Sequence, residues 1–266
     1  MIVRPLVVTL AADPSRQPAV SVWTAIERSQ TRKLEECWLI TQPAHAALSA
    51  EMAAKLDADE FSGIDANVVR SIALHDAGWS AADARSIQDS RAVDGRKRSE
   101  RPRTFLEYPP AEVVDIWAGS IDTAAKLSPL GGVLVSRHFA SIAHHYTTDP
   151  KLAPAAHRFI KREAERQEAL LKRSHASAQK VQRLVEALQL CDLLSLYLCC
   201  GLSERVEFPQ SAHGRPIELA PEGDGETCRL SPNPFKNEQV FTVAGIRHPK
   251  LKRDGSNSSI FFLRVF

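Results

Sequence analysis

The sequence predicts a mainly α-helical protein with a small antiparallel β appendage at its C-terminus, and three observations carry that expectation. Apolar residues recur at helical spacing through most of the stretch from Cys37 to about Leu202. After Glu204 the composition shifts: Pro209, Pro216, Pro221, Pro232 and Pro234 interrupt the chain, while EQVFTVAGI and SIFFLRVF alternate apolar and polar residues as strands do. A chain of 266 residues, 44% hydrophobic and 25% charged, has room for one large core or for a main domain with an appendage.

Three zones follow. Residues 1–36 form a lead segment, with a strand expected over 2–10 and a short helix over 22–33. Residues 37–204 form the helical body, opened by a strand over 38–40. In TQPAHAALSAEMAAKL, Pro43 suits the first position of a helix, and His45 shares the apolar side of Leu48, Met52 and Leu56. In NVVRSIALHDAGW, Val68, Ile72, His75 and Trp79 repeat at helical spacing with Asp76 beside them, and Gly78 supplies a stop. A charged loop follows, DARSIQDSRAVDGRKRSERPRTFLEYPP. In GGVLVSRHFASIAHHY the paired glycines free a tight helix start, and Leu134, His138, Ile142 and His145 fall near one side. The run from Arg158 to Arg183 reads as a long amphipathic helix with a solvent face of interleaved opposite charges. Residues 205–266 are β-rich, with RDGSNS as a hairpin loop; no internal repeat is evident.

Composition narrows the function classes. With 34 basic against 32 acidic residues the formal charge is +2, which argues against an extended surface for nucleic acid or membrane. Five cysteines form no CxxC pair, and three lie in one apolar helix; reduced, buried thiols in a cytoplasmic protein are expected. The apolar run in MIVRPLVVTLAADPSRQ is short and broken by proline, unlike a signal, and no segment approaches the ~20 apolar residues that span a bilayer. The P-loop, GxGxxG, HExxH and GxSxG signatures are missing.

The most informative residue is Asp192, the only charge in LQLCDLLSLYLCC. Val181, Leu184, Val185, Leu188, Asp192, Ser195 and Cys199 share one helical stripe, so the carboxylate faces whatever that stripe buries. A buried carboxylate is unfavourable unless a cation, a metal or several donors meet it. An arginine is one such partner; His45, His75 and Asp76, each expected on the inward side of its own helix, point to another. Taken singly, His45 and His138 also fit core histidines bonded to a backbone carbonyl.

A lone His, a His-Asp doublet and a late Asp, here His45, His75-Asp76 and Asp192, resemble the pattern of the HD superfamily of metal-dependent phosphohydrolases. WLITQPAHAALS, LHDAGW, LVSRHF and QLCDLLSLYLC also look like an uncharacterised bacterial HD-like branch known only as a domain of unknown function. The resemblance implies an HD-like helical bundle holding one or two divalent ions, with His138 as an extra ligand of a dinuclear site. It implies hydrolysis of a phosphate ester or anhydride, a nucleotide's among the candidates, with Asp76 orienting the water or bridging two ions. The mixed imidazole and carboxylate set suits Mn, Fe, Co, Ni or Zn. The long interval between Asp76 and Asp192 departs from the compact pattern and leaves the exact ligand set open. Two further readings stand beside this one: an HD-fold diiron oxygenase, and a noncatalytic binding or scaffold protein with a polar core network.

For a small phosphorylated molecule, phosphate contacts are expected from Arg101 and Arg103 in the basic loop, which also holds Arg91, Arg96, Lys97 and Arg98, and from Arg137 and His145 near His138. Asp94 and Glu100 dilute the loop, whose bland reading is a solvated connection. Adjacent His144 and His145 point about 100° apart on a helix, so at most one of them belongs to the same site.

Overall fold

The computed structural model describes residues 1–8, 18–90, 102–222, 226–249 and 257–266. In chain order its elements are β1 (Ile2–Pro5), β2 (Val20–Ser21), α1 (Val22–Gln30), β3 (Cys37–Ile40), α2 (Gln42–Ala53), α3 (Ala66–Ala73), a 3-10 turn (Ala77–Trp79) and α4 (Ser80–Asp89). A second 3-10 turn (Phe105–Glu107) precedes α5 (Pro110–Leu127), α6 (Pro129–His145), α7 (Ala153–Ser174) and α8 (Ala178–Cys200). Strands β4 (Val206–Ala212), β5 (Arg215–Glu222), β6 (Thr227–Ser231), β7 (Gln239–His248) and β8 (Ser258–Val265) complete the order.

Local chemistry sets the helix ends that matter for the site. Thr41 caps α2 by accepting from the Ala44 N–H, with Pro43 in the first turn. Ser128 caps α6 by accepting from Gly131, and Ser177 caps α8 by accepting from Lys180. Gly201, at φ 61°, ends α8 in the left-handed conformation that glycine adopts without strain. The single helix expected from Arg158 to Arg183 divides, because His175 turns left-handed at φ 52° and Ser177 starts a new helix. The start of the expected charged loop is helical too, as α4; residues 91–101, with Arg91, Arg96, Lys97, Arg98 and Arg101, lie outside the described residues.

The fold class needs correction. The strands are not a small C-terminal appendage on an HD-like helical bundle; they form one eight-stranded mixed sheet in the order β1-β3-β7-β8-β6-β5-β4-β2. The N-terminal strands are the reason. β3 pairs antiparallel with both β1 and β7, so Leu39 lies opposite Val3 on one side and Ile246 on the other. At the far edge, β2 pairs parallel with β4. The prolines expected to break the tail also mislead: Pro209 sits in β4 where its register against β5 shifts, and Pro216 and Pro221 lie within β5.

One hydrophobic cluster joins helices and sheet, from Ile26 and Leu188 through Tyr197 to Phe208, Phe241 and Leu263. α8 packs on α1, α2, α6, β1 and β4, and it is buried from Leu194 to Cys200. Arg4, brought by β1, donates to the Leu198 carbonyl at 2.6 Å near the C-terminus of α8, where a cation is favoured, and lies over the Phe261 ring. The five cysteines are buried and form no disulfide. Among the described residues no helix is long and apolar enough to cross a membrane.

Candidate metal centre

Three helices and one turn deliver the polar side chains. α2 carries His45, α6 carries His138 and α8 carries Asp192, all buried. His75 and Asp76 are not on a helix: α3 ends at Ala73, and the doublet occupies the turn before the 3-10 segment. Gly78 holds that turn in place. A Cβ there would lie 2.1 Å from the Ile116 carbonyl oxygen, and the Gly78 N–H donates to Ser120 Oγ, so only glycine lets the doublet's turn rest directly on α5. On α6, a Cβ at Gly131 would lie 2.3 Å from Ser71 Oγ, so glycine there admits α3 rather than a phosphate.

The side chains converge. His45 Nε2 lies 3.0 Å from Asp76 Oδ2 and 3.4 Å from Asp192 Oδ1. His75 Nε2 lies 3.1 Å from Asp192 Oδ1 and 3.6 Å from Asp76 Oδ2. His138 Nε2 lies 3.7 Å from Asp192 Oδ2, so Asp192 turns its two oxygens toward different imidazoles. Two overlapping triads, His45-His75-Asp76 and His75-His138-Asp192, each place their ligand atoms within 4.8 Å of one another, as a metal ion requires.

Proton accounting sharpens the fit. Ser195 Oγ lies 2.9 Å from the Asp192 carbonyl oxygen and 2.7 Å from both Ser49 Oγ and His45 Nδ1, so a hydroxyl engages His45 Nδ1 and leaves Nε2 to the carboxylates. His75 Nδ1 donates to the Ile72 carbonyl at 2.7 Å. When the His75 ring is neutral its Nε2 is then bare, yet it faces carboxylate oxygens. Two acceptors are held together only by a cation between them: a proton or a metal. Fixing Nδ1 on a backbone or hydroxyl oxygen while Nε2 faces inward is how proteins orient metal-ligating histidines. The ion pairs of Asp76 and Asp192 among the described residues are all with imidazoles, so the arginine alternative for Asp192 finds no partner there.

Electrostatics agree. Burial lowers the pKa of His75, but the charge of Asp76 and the hydrogen bond and charge of Asp192 outweigh it and raise the value to about 9. Burial pushes Asp192 up, and the three imidazoles, led by the His75 hydrogen bond, hold it well below the usual carboxylate range. His138 is driven the other way, to about 4, mainly by burial, with Asp192 opposing. Its Nδ1 is buried without a hydrogen-bond partner.

The centre opens on two cavities. One, of about 220 Å³, is walled by aromatic and aliphatic side chains, with His45, Asp76, His138 and Asp192 among its lining. The other, of about 1170 Å³, also reaches His138 and Asp192 and is the more polar of the two, with Glu27, Glu186 and Glu207 in its lining. Sequence reasoning did not foresee either cavity, nor Ser195 as the partner of His45, although Ser195 lay on the Asp192 stripe. His145 is exposed and lines the polar cavity. Arg137 is half-buried beside His138, and Arg103 is exposed, its N–H donating to Ser86 Oγ; neither is among the described lining of the two cavities.

The chain belongs to the family described as Protein of unknown function (DUF3891), whose model matches residues 30–247 and so includes all five converging side chains. No HD-domain family is shown. No curated protein and no solved structure matches the chain.

Proposed function

We propose that this DUF3891 member is a metal-dependent phosphohydrolase in which His45, His75, Asp76, His138 and Asp192 hold one or two divalent ions of the Mn, Fe, Co, Ni or Zn group. The observation that supports the reading most is the convergence of three imidazoles on two carboxylates with no other described cation among them, the Nδ1 atoms of His45 and His75 being already engaged elsewhere. A bound divalent ion supplies a water of lowered pKa and a positive charge for a phosphoryl oxygen.

The protein's own groups do the rest. Ser195 and the Ile72 carbonyl fix the two rings, keeping Nε2 inward. Asp76, which borders the apolar cavity, orients the attacking water and takes its proton. The aromatic wall lines one approach to the centre and keeps that side apolar. No Lys or Arg is among the described cavity lining, so a substrate phosphoryl group depends on the ion for its counter-charge. That favours a single phosphoester over a polyphosphate. Release of inorganic phosphate from 4-nitrophenyl phosphate by Mn-loaded protein, abolished by Asp76→Asn, is the expected result. Failure of the loaded wild type on phosphate monoesters and diesters alike would overturn the hydrolase reading.

A second reading, a diiron oxygenase, is favoured by one observation: an apolar cavity beside a centre of imidazoles and carboxylates suits oxidation of a hydrocarbon group. Oxygen consumption by protein loaded with ferrous iron, absent with Mn, would select it.

A further inference from the structure

We infer that the substrate of this centre carries an uncharged, largely apolar group with one hydrogen-bonding atom, and that the aromatic cavity is the seat of that group. The inference rests on the metal-centre reading above, since the centre forms one end of the cavity.

Three of the four tryptophans, Trp23, Trp79 and Trp117, line this single space. They are not loose surface rings. Trp117 stacks on Phe139 with centroids 5.1 Å apart, and Trp79 meets Tyr108 edge to face at 5.3 Å, so the wall is braced before a ligand arrives. Its volume of about 220 Å³ exceeds the ~150 Å³ of an apolar cavity that binds benzene, which leaves room for a fused two-ring group.

Three buried polar atoms on side chains that line the two cavities lack hydrogen-bond partners: Gln42 Oε1 on the aromatic cavity, Gln210 Oε1 on the larger one, and His138 Nδ1, whose ring lines both. Gln42 is 2% exposed and His138 3%. Buried polar groups are nearly always satisfied, so Gln42 Oε1, the orphan that belongs to the aromatic cavity alone, points to a ligand with one hydrogen-bond donor. Tyr108 does not share this role, because its hydroxyl already donates to the Ala82 carbonyl. The larger cavity, which shares Trp23, His138, Ile142, Tyr146 and Asp192 with this one, is a poorer seat for the same group. Its lining adds Glu27, Glu186 and Glu207, which favour water and cations over an apolar or anionic moiety.

The test uses full-length, metal-free protein and isothermal titration calorimetry with 1-naphthol, which has two fused rings and one hydroxyl, so binding is read without turnover. Wild type should bind 1-naphthol at least about tenfold more tightly than glycerol or inorganic phosphate, a margin that matched apolar burial readily supplies. Ala155→Trp, which fills the cavity from α7, should weaken 1-naphthol at least about tenfold. Gln42→Leu, whose backbone N–H bond to Asp83 is retained, should weaken 1-naphthol but not naphthalene. Circular dichroism checks that each variant is folded, and the wild-type preference stands without either variant. Absence of 1-naphthol binding in protein that takes up Mn overturns this inference and leaves the metal centre intact. Binding of 1-naphthol by protein that takes up no metal supports the cavity assignment and removes the metal centre instead. Binding unchanged by a folded Ala155→Trp places 1-naphthol elsewhere and overturns the inference.

Discussion

Loading the centre with a metal displaces a proton, and His75 sets the pH at which this becomes easy. Its Nδ1 is committed to the Ile72 carbonyl, so in a metal-free protein the second proton sits on Nε2 between Asp192 and Asp76. Burial opposes that charge, yet the two carboxylates raise the pKa from 6.5 to about 9. An ion that takes Nε2 competes with this proton. Near pH 7 the competition weakens apparent affinity about 100-fold, on the order of 3 kcal/mol, and the loss shrinks roughly tenfold per pH unit until the pKa is reached. Titrating metal-free protein with MnCl₂ at several pH values between roughly 7 and 9 should therefore show affinity climbing with that slope. Repeating it in buffers of different ionisation enthalpy should count about one proton released per ion. The stability of the metal-free protein carries the opposite sign. A pKa raised in the folded state contributes stability that is whole below the unfolded value of 6.5 and is lost as pH rises through about 9. Melting temperature should fall across that window without metal and stay flatter with it. Affinity independent of pH, with no proton released, would refute the reasoning.

Other perturbations separate the parts of the centre. At 100 times its dissociation constant an ion stabilises the native state by ~2.7 kcal/mol, which for a chain of this size is roughly 5–10 °C in Tm. Differential scanning fluorimetry should show that shift in wild type and most of it missing in Asp192→Asn; an equal shift in both would count against Asp192 as a ligand. Ser195→Ala removes the partner of His45 Nδ1 and should weaken Mn binding about 10- to 100-fold by calorimetry, while the fold persists. Gly78→Ala drives a methyl into the Ile116 carbonyl and should lower stability to urea by about 1–3 kcal/mol or more. Exposed His145 serves as a control, and His145→Gln should leave metal content unchanged by elemental analysis.

Much of the site was legible because its signal is local. Asp192 stood out as a lone charge on an apolar helix, and every residue named on its stripe is buried. His45 and His138 announced themselves in the same way. The doublet was legible as a pair but not as a turn: Val68, Ile72, His75 and Trp79 keep helical spacing, yet the helix ends at Ala73, and the packing of Gly78 on α5 decides where the turn lies. The sheet was least legible, because its assembly depends on partners far apart in sequence. Nothing within Cys37–Ile40 reveals that it bridges β1 and β7, and the prolines of β4 and β5 hide strands whose burial does alternate. The aromatic cavity was invisible for the same reason, since its tryptophans come from α1, a 3-10 turn and α5.

The central claim is that a cation holds these imidazoles and carboxylates together. Elemental analysis of wild type and Asp192→Ala, purified in parallel without chelators, tests it most directly. The expected result is a transition metal at one or two equivalents per chain in wild type and a clear loss in the variant. Equal metal content in the two proteins, or none in either, would contradict the account.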